Sequence, residues 1–379
     1  MRDTLEELDR ILPACRIRLD PLNIGQTVTL VQRALGTADQ GTEFAARLWG
    51  ETNGNPLFLV ETLKSLLERG QLAPSPDGGW LLPSLDAPLP VPASIQALVN
   101  ERVAHLPPAL RAVLELVAVL GQDTDFPVLS RAGDADPAAL LPALEELEQR
   151  GFLIETESRY CFEHDRIREI IYQNIPPHRQ ERLHRRAGDA LEALHPDQVE
   201  QLAHHFDMGQ VWDKTVVYNR RAGERARAVY AGADALSYYD RALEAWRRLE
   251  LPDEELGLNL YQERGGICQD TGRFEQTEAD FQAAYQLAER KGNYIAQAHV
   301  LNHLSYLQFQ RGDFEKAAAI AQQVLELLPA MGTESEIAAG LFNKANAIRN
   351  LGQYQTAIKL YERCLLYTSD AADELDGVD

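Results

Sequence analysis

The stretches GRFEQTEADFQAA (272–284), GDFEKAAAIAQQV (312–324) and GQYQTAIKLYERC (352–364) decide how this chain is read. Their leading motifs, Gly272-Arg-Phe274, Gly312-Asp-Phe314 and Gly352-Gln-Tyr354, stand 40 residues apart both times. Each lies between two segments of helical period, where glycine suits a tight turn because it enters positive φ at little cost. The aromatic two residues on is expected to plug the gap between the paired helices. Three, seven and ten residues beyond it come Thr277, Phe281 and Ala284, then Ala317, Ala321 and Val324, then Ala357, Tyr361 and Cys364. Those offsets share one helix face, and the small first residue admits a close neighbour. A weaker unit holds Ala235, Tyr239 and Ala242 in the same places, and a helix around 214–222 reads as a degenerate cap. A fixed period of this size predicts stacked helix pairs.

The pattern resembles the tetratricopeptide repeat, in the longer form found in bacterial regulators of the MalT type. The resemblance implies a binding scaffold for a protein partner or a small-molecule inducer. A helical and repeat array is expected over 177–366, with the repeats proper from about 198. After Leu366 the pattern stops in mid-helix, and 367–379 carries Asp370, Asp373, Glu374, Asp376 and Asp379 with no base. That tail is expected to be non-native, and the array to have been cut at Leu366.

Upstream, 91–176 has a different rhythm. Ser94 is a candidate N-cap, and Leu98, Val99, Val103 and Leu106 follow at helical spacing. A second helix is expected over Pro108–Leu120. A third starts at Asp136-Pro137 and ends at Arg150-Gly151. Residues 152–156 and 159–162 are β-prone runs around Glu157-Ser158. Three helices and a two-stranded ribbon predict a winged-helix domain, after which a helix begins near His164. Helices are expected at 25–35, 43–52 and 57–69 as a small helical domain spanning 23–72, joined through a Pro/Gly-rich linker, 73–90, with Trp80 inside it. Residues 1–22 read as a helix, Thr4–Leu12, and a strand, Cys15–Leu19. The predicted fold class is therefore mainly α: a small helical domain, a winged helix and an α-solenoid.

Composition limits the function. With 379 residues, 45% hydrophobic and 25% charged, the chain is of ordinary globular type. The net charge of −21 argues against a large nucleic-acid surface. The third helix of the expected winged helix carries Glu145, Glu146 and Glu148 against Arg150, the wrong sign for reading DNA. The basic run Arg179–Arg186, with His178 and His184, is interrupted by Glu181 and reads as a solvated helix face. Cys15, Cys161, Cys268 and Cys364 are scattered, which fits reduced thiols in the cytoplasm. The most apolar stretch, 110–121, contains Arg111 and Glu115 and falls short of the ~20 residues of a membrane span, so no membrane contact is expected.

No Gly-rich phosphate loop, G-x-S-x-G elbow or H-E-x-x-H pair occurs in the sequence, and no catalysis is expected from this chain alone. His299 and His303, four apart on a helix, lack a third ligand at a fitting spacing, and adjacent His204 and His205 point in different directions, so no metal site is expected. Two spots stand out. In Thr52-Asn-Gly54-Asn55-Pro56, Gly54 lets the chain turn, Asn55 caps and Pro56 starts a helix with its flat ring; a plain helix–helix turn is the alternative. In Phe162-Glu-His164-Asp165, an imidazole beside a helix start suits an anion, with simple capping or packing as the alternative.

Together with LPVPASIQ (89–96), FEHDRIREIIY (162–172) and LAHHF (202–206), these spots resemble the part of STAND-class signal-transduction ATPases, of the MalT/LuxR-regulator type, that follows the Walker motifs. The resemblance covers residues 1 to about 366. It implies that Gly54, Asn55 and Pro56 border bound ATP or ADP, with Pro56 against the adenine. His164 would approach the β-phosphate of ADP, and Asp165 would fix the turn that carries it. Residues 1–22 would be the end of a P-loop core whose Walker motifs belong upstream of Met1. The parent would be a cytoplasmic ATPase and transcriptional regulator. The competing expectation is a tetratricopeptide scaffold that binds a protein and no nucleotide.

Overall fold

The computed structural model describes residues 20–36, 41–75, 79–83, 94–121, 124–133, 136–328 and 334–375, with side chains to 367. The expected helix Thr4–Leu12, the strand Cys15–Leu19 and residues 89–93 lie outside the described residues. The protein is mainly helical, 77% helix in 18 helices among the described residues, and none of these is long and apolar enough to cross a membrane. Two compact units divide at Pro176/Pro177.

In the first unit, α1 (Ile24–Leu35) starts at a reciprocal Asn23/Gln26 capping box, which satisfies two of the free N–H groups of its first turn. With α2 (Thr42–Thr52) and α3 (Pro56–Glu68) it buries Val31, Phe44, Leu48, Leu59, Leu63 and Leu66. The stretch read as a linker contains a short hairpin of β1 (Ala73–Pro74) and β2 (Trp80–Leu81). Trp80 packs on that core and its indole N–H donates to the Leu35 carbonyl at 2.6 Å. An indole needs both an apolar bed and an acceptor, and α1 offers the two together.

Next come α4 (Ile95–Ala104), α5 (Pro108–Leu120), β3 (Thr124–Asp125), α6 (Phe126–Gly133), α7 (Pro137–Gln149), β4 (Leu153–Thr156), β5 (Arg159–Phe162) and α8 (Asp165–Asn174). Ser94 and Asp136 cap α4 and α7 as their sequence positions suggest. The ribbon turns at Glu157 and Ser158, both at positive φ. Two elements differ from expectation: β3 pairs with β5, giving a three-stranded antiparallel sheet of order β3-β5-β4, and α6 precedes α7. A two-residue strand and an eight-residue helix are too short for periodicity to reveal.

The second unit runs α9 (Pro177–Leu194), α10 (Val199–Met208), α11 (Trp212–Ala228), α12 (Gly232–Arg247), α13 (Glu254–Asp270), α14 (Phe274–Arg290), α15 (Tyr294–Gln310), α16 (Phe314–Leu327), α17 (Glu334–Asn350) and α18 (Tyr354–Leu375). The segment 214–222, read as a degenerate cap, belongs to the full-length helix α11, because α12 covers its buried Thr215, Val216 and Asn219. Backbone helix continues through the acidic tail to Leu375.

One turn recurs along this array. Gln210, Tyr230, Gly272, Gly292, Gly312 and Gly352 all adopt positive φ two residues past the last residue of a helix. At each, the following N–H reaches back five residues: Arg273 to Cys268, Asn293 to Ala288, Asp313 to Gln308, Gln353 to Ile348, Val211 to Phe206 and Ala231 to Ala226. This Schellman closure satisfies carbonyls that the helix end would leave bare. Glycine is the low-strain occupant, which explains why the Gly motifs mark the turns.

Between the helices of a pair, a glycine receives an aromatic ring. A Cβ at Gly188, Gly223 or Gly265 would stand 2.7, 2.8 or 3.1 Å from the rings of Phe206, Tyr239 and Phe281. The seven-offset aromatics therefore fill the gap. The aromatics after the turn glycine do so less than expected: Phe274 and Phe314 are half-buried, and Tyr354 is 64% exposed. Ala284, Ala317, Ala321, Val324 and Ala357 are buried on the same faces.

Candidate functional site

The Gly54–Pro56 corner is built from backbone constraints. Asn53 and Gly54 are both at positive φ, and the Gly54 carbonyl accepts from the Leu22 N–H at 2.9 Å. Trp49 Nε1 donates to the Leu22 carbonyl at 2.8 Å, and a Cβ on Gly54 would lie 2.1 Å from that oxygen. No other residue fits there without moving the chain. The Asn55 side chain then accepts from the Phe58 N–H at 3.1 Å, and Pro56 opens α3 where its missing N–H costs nothing. Pro56 is exposed, so its ring is open to a flat partner.

His164 leaves β5 with extended backbone and caps α8 through its carbonyl, which accepts from the Ile167 N–H at 3.0 Å. Its imidazole makes no capping bond and is exposed, as is Asp165 in the first turn of α8. The free N–H groups and dipole of α8 lie beside this imidazole, an arrangement suited to an anion.

The two corners sit at the starts of different helices, and a charged cluster connects their elements. Lys64, two turns into α3, donates to Glu163 Oε2 at 2.5 Å and to the Gly151 carbonyl at 3.2 Å, and pairs with Glu61 at 3.2 Å. Gly151 is at positive φ, and a Cβ there would meet Lys64 Nζ at 2.6 Å. Behind it, Arg102 of α4 is 2% exposed and Glu61 is fully buried, and the two form an ion pair. Arg102 also bonds Glu68 at 2.8 Å and the Arg150 carbonyl at 2.6 Å, and lies 4.3 Å over the Phe152 ring. A buried guanidinium so fully engaged fixes α3, α4 and the α7–β4 turn in one geometry. Sequence reading missed this cluster. Its only signal is Glu61, Lys64 and Glu68 at helical spacing on α3, which looks like a solvated face until Arg102 is placed opposite.

The histidines fall out differently from their spacing. His299 Nδ1 pairs with Glu336 at 3.1 Å, a carboxylate 37 positions away, and this pair raises the His299 pKa. His303 stacks on Phe281 at 4.9 Å, and burial lowers its pKa to about 4. His204 and His205, expected to point in different directions, bring their ring centroids to 5.3 Å at an angle of 64°, and His184 of α9 lies within 5.4 Å ring-to-ring of both.

Residues 257–330 and 338–370 match the tetratricopeptide repeat family. Those segments are tetratricopeptide repeats, a protein-interaction module. Over 70 residues the chain is 36% identical to prolyl 4-hydroxylase subunit alpha-1 of Rattus norvegicus, covering 16% of this chain and 13% of that protein. Among solved structures, it is similar to a Signal Transduction ATPase with Numerous Domains (STAND) protein with a tetratricopeptide repeat sensor from Pyrococcus horikoshii, at TM-score 0.40 and 14% identity, covering 94% of this chain and 55% of that one. BtubC from P. vanneervenii gives TM-score 0.40 and 14% identity, with coverage of 67% and 94%. Aspartyl phosphate phosphatase F from Bacillus subtilis gives 0.39 and 11%, with coverage of 95% and 78%. The chain thus spans 13% of the length of the rat protein and 55% of the archaeal STAND protein.

Proposed function

We propose that this chain is the regulatory part of a STAND-type ATPase that acts as a cytoplasmic transcriptional regulator. Its repeats take a protein partner or inducer, and 91–176 acts as a winged helix that follows nucleotide state. The observation that carries the reading is the Lys64–Glu163 contact, because it links the helix begun by Pro56 to the residue before His164. The order helical segment, helix–sheet segment and repeats along the chain supports it as well. In the parent, Gly54, Asn55 and Pro56 border the nucleotide, His164 meets the ADP phosphates and Asp165 steadies its turn. The P-loop and the magnesium ligands come from outside these residues, so turnover belongs to the parent alone.

DNA contact by α7 is disfavoured. Glu145 and Glu148 are exposed, and Arg150 at the end of α7 is held by Glu146 at 2.6 Å. An acidic helix face repels phosphate, which fits an intramolecular clamp better than a reader of bases.

The test is ADP release from a polypeptide that joins this chain to its P-loop core. His164→Ala is expected to speed dissociation of fluorescently labelled ADP by at least about tenfold, the effect of losing one charge-assisted contact of roughly 1.5 kcal/mol. An unchanged off-rate sinks the assignment of His164. The second reading, a nucleotide-free scaffold, is favoured by both family matches falling inside the repeats. Absence of any ADP heat in calorimetry on the joined polypeptide would select it.

A further inference from the structure

We propose that His184, His204 and His205 form a binding site for a divalent transition metal of the zinc type, clasping the first helix pair of the array. One ring nitrogen from each residue lies within 4.8 Å of the other two, the one such cluster of three potential ligands among the described residues. The rings stand 5.1, 5.3 and 5.4 Å apart at mutual angles of 41°, 64° and 82°. The three rings thus meet at an angle, with one nitrogen of each in a common group.

The two buried members fix the geometry. His184 is fully buried on α9, His205 is 2% exposed on α10, and their Nδ1 atoms face each other at 2.9 Å. Without a metal, one of these nitrogens must carry the proton and donate to the other. With a metal between them, the donor shifts its proton to Nε2 and both Nδ1 lone pairs become ligands, so the neutral histidines release no net proton. Tetrahedral zinc with bonds of ~2.0–2.1 Å sets nitrogens roughly 3.3 Å apart, a separation reached here by opening the pair a few tenths of an ångström. Burial also favours the uncharged, ligating form of both rings, holding their pKa values at about 4 and about 3.

His204 completes the set from the solvent side, since it is exposed while its neighbours are not. The fourth coordination position then opens to water. Three imidazoles with no thiolate select zinc, copper or nickel over calcium or magnesium, which demand oxygen ligands. The consequence is a cross-link between α9 and α10 where the array begins, at the pair packed by Gly188 against Phe206.

Titration of the full chain with ZnCl2 in a non-coordinating buffer at neutral pH tests this. One zinc per chain is expected, with a rise in melting temperature. His204→Gln, at an exposed position, should weaken binding more than about tenfold, the least seen for disturbing even an outer-shell partner. His299→Gln should leave it unchanged. Cobalt(II) in place of zinc should give the intense visible bands of tetrahedral nitrogen coordination. Zinc affinity unaffected by His204→Gln, affinity lost in His299→Gln, a weak octahedral cobalt spectrum, or a sulfur-to-cobalt charge-transfer band would each overturn the proposal. His205→Gln, followed by circular dichroism and cobalt absorption together, keeps the test sound. A folded variant that retains the tetrahedral bands also overturns it.

Discussion

Both units of this protein have apolar cores and ion pairs with a buried carboxylate, such as Arg264–Asp280 in the array, but they differ in the contact that is distinctive of each. In the array, one contact is reused: a glycine on the first helix of a pair takes an aromatic from the second, at Gly188–Phe206, Gly223–Tyr239 and Gly265–Phe281. In the first unit the central contact occurs once, among Glu61, Lys64, Glu68, Arg102 and Glu163. Apolar close packing is tolerant and additive along a stack, so a repeated solution serves a surface that must extend. A buried ion cluster is directional and intolerant, because each charge depends on its partners remaining in place. Such a cluster suits a region where one defined geometry has to be kept or switched.

The sharpest way to break this contrast is Arg102→Met. The substitution keeps the volume and removes the charge, leaving Glu61 buried without its guanidinium and Glu68 and the Arg150 carbonyl without their donor. A loss of about 3–5 kcal/mol is expected, as for other broken buried pairs. Urea denaturation gives the size, and hydrogen exchange gives the place: amides of α3 and α4 should lose protection while those of α13 to α15 keep theirs. A loss below about 1 kcal/mol would put the cluster in the class of surface pairs and end the contrast.

The same difference explains what could be read from the sequence. The array was legible because its contacts recur at a fixed period, and the residues three, seven and ten beyond each turn aromatic prove largely buried. Its weak spots were local. Tyr354 carries the expected aromatic but is exposed, and the earlier helices read only as a weaker unit and a degenerate cap because Gln210 and Tyr230 stand where later turns have glycine. The Gly54 corner was legible as a turn, since Gly54, a capping Asn55 and Pro56 at a helix start are all local signals. The ion cluster was not, because Lys64 and Glu163 are 99 positions apart and Arg102 is 41 from Glu61. Charges at such separations carry no period. The histidine triad was lost for a related reason: its third member is 20 positions before His204, on another helix.

A pair of glycine substitutions sharpens the array side of the comparison. At Gly223 an added methyl would sit 2.8 Å from the Tyr239 ring, which is 1% exposed and has no room to retreat. Gly223→Ala is expected to destabilise by about 1–3 kcal/mol through overpacking. Gly266 lies in the interior of α13 with nothing within 4 Å of its would-be Cβ. There the same change should stabilise by roughly 0.5–1 kcal/mol, since alanine loses less backbone entropy in a helix. Opposite signs in chemical denaturation would tie the glycine's role to the ring it receives. Two losses of equal size would mean that backbone freedom, and not packing, decides both sites.

The smallest expected effect comes from the turn that the array shares. Tyr230 closes α11 at φ 58°, with its N–H on the Arg227 carbonyl at 3.0 Å and the Ala231 N–H on the Ala226 carbonyl at 2.9 Å. These are the bonds that Gly272, Gly292, Gly312 and Gly352 make without the clash of a Cβ. The left-handed conformation costs a non-glycine residue about 1–2 kcal/mol. Tyr230 gets little back from packing, being 96% exposed. Against that, glycine loses more freedom on folding, by roughly 0.5–1 kcal/mol. Tyr230→Gly should therefore stabilise the array by up to about 1 kcal/mol, a rise of roughly 2–4 °C in its melting temperature. A fall in melting temperature would show that the ring has a packing role, and that this turn is held by its side chain where the others are held by backbone alone.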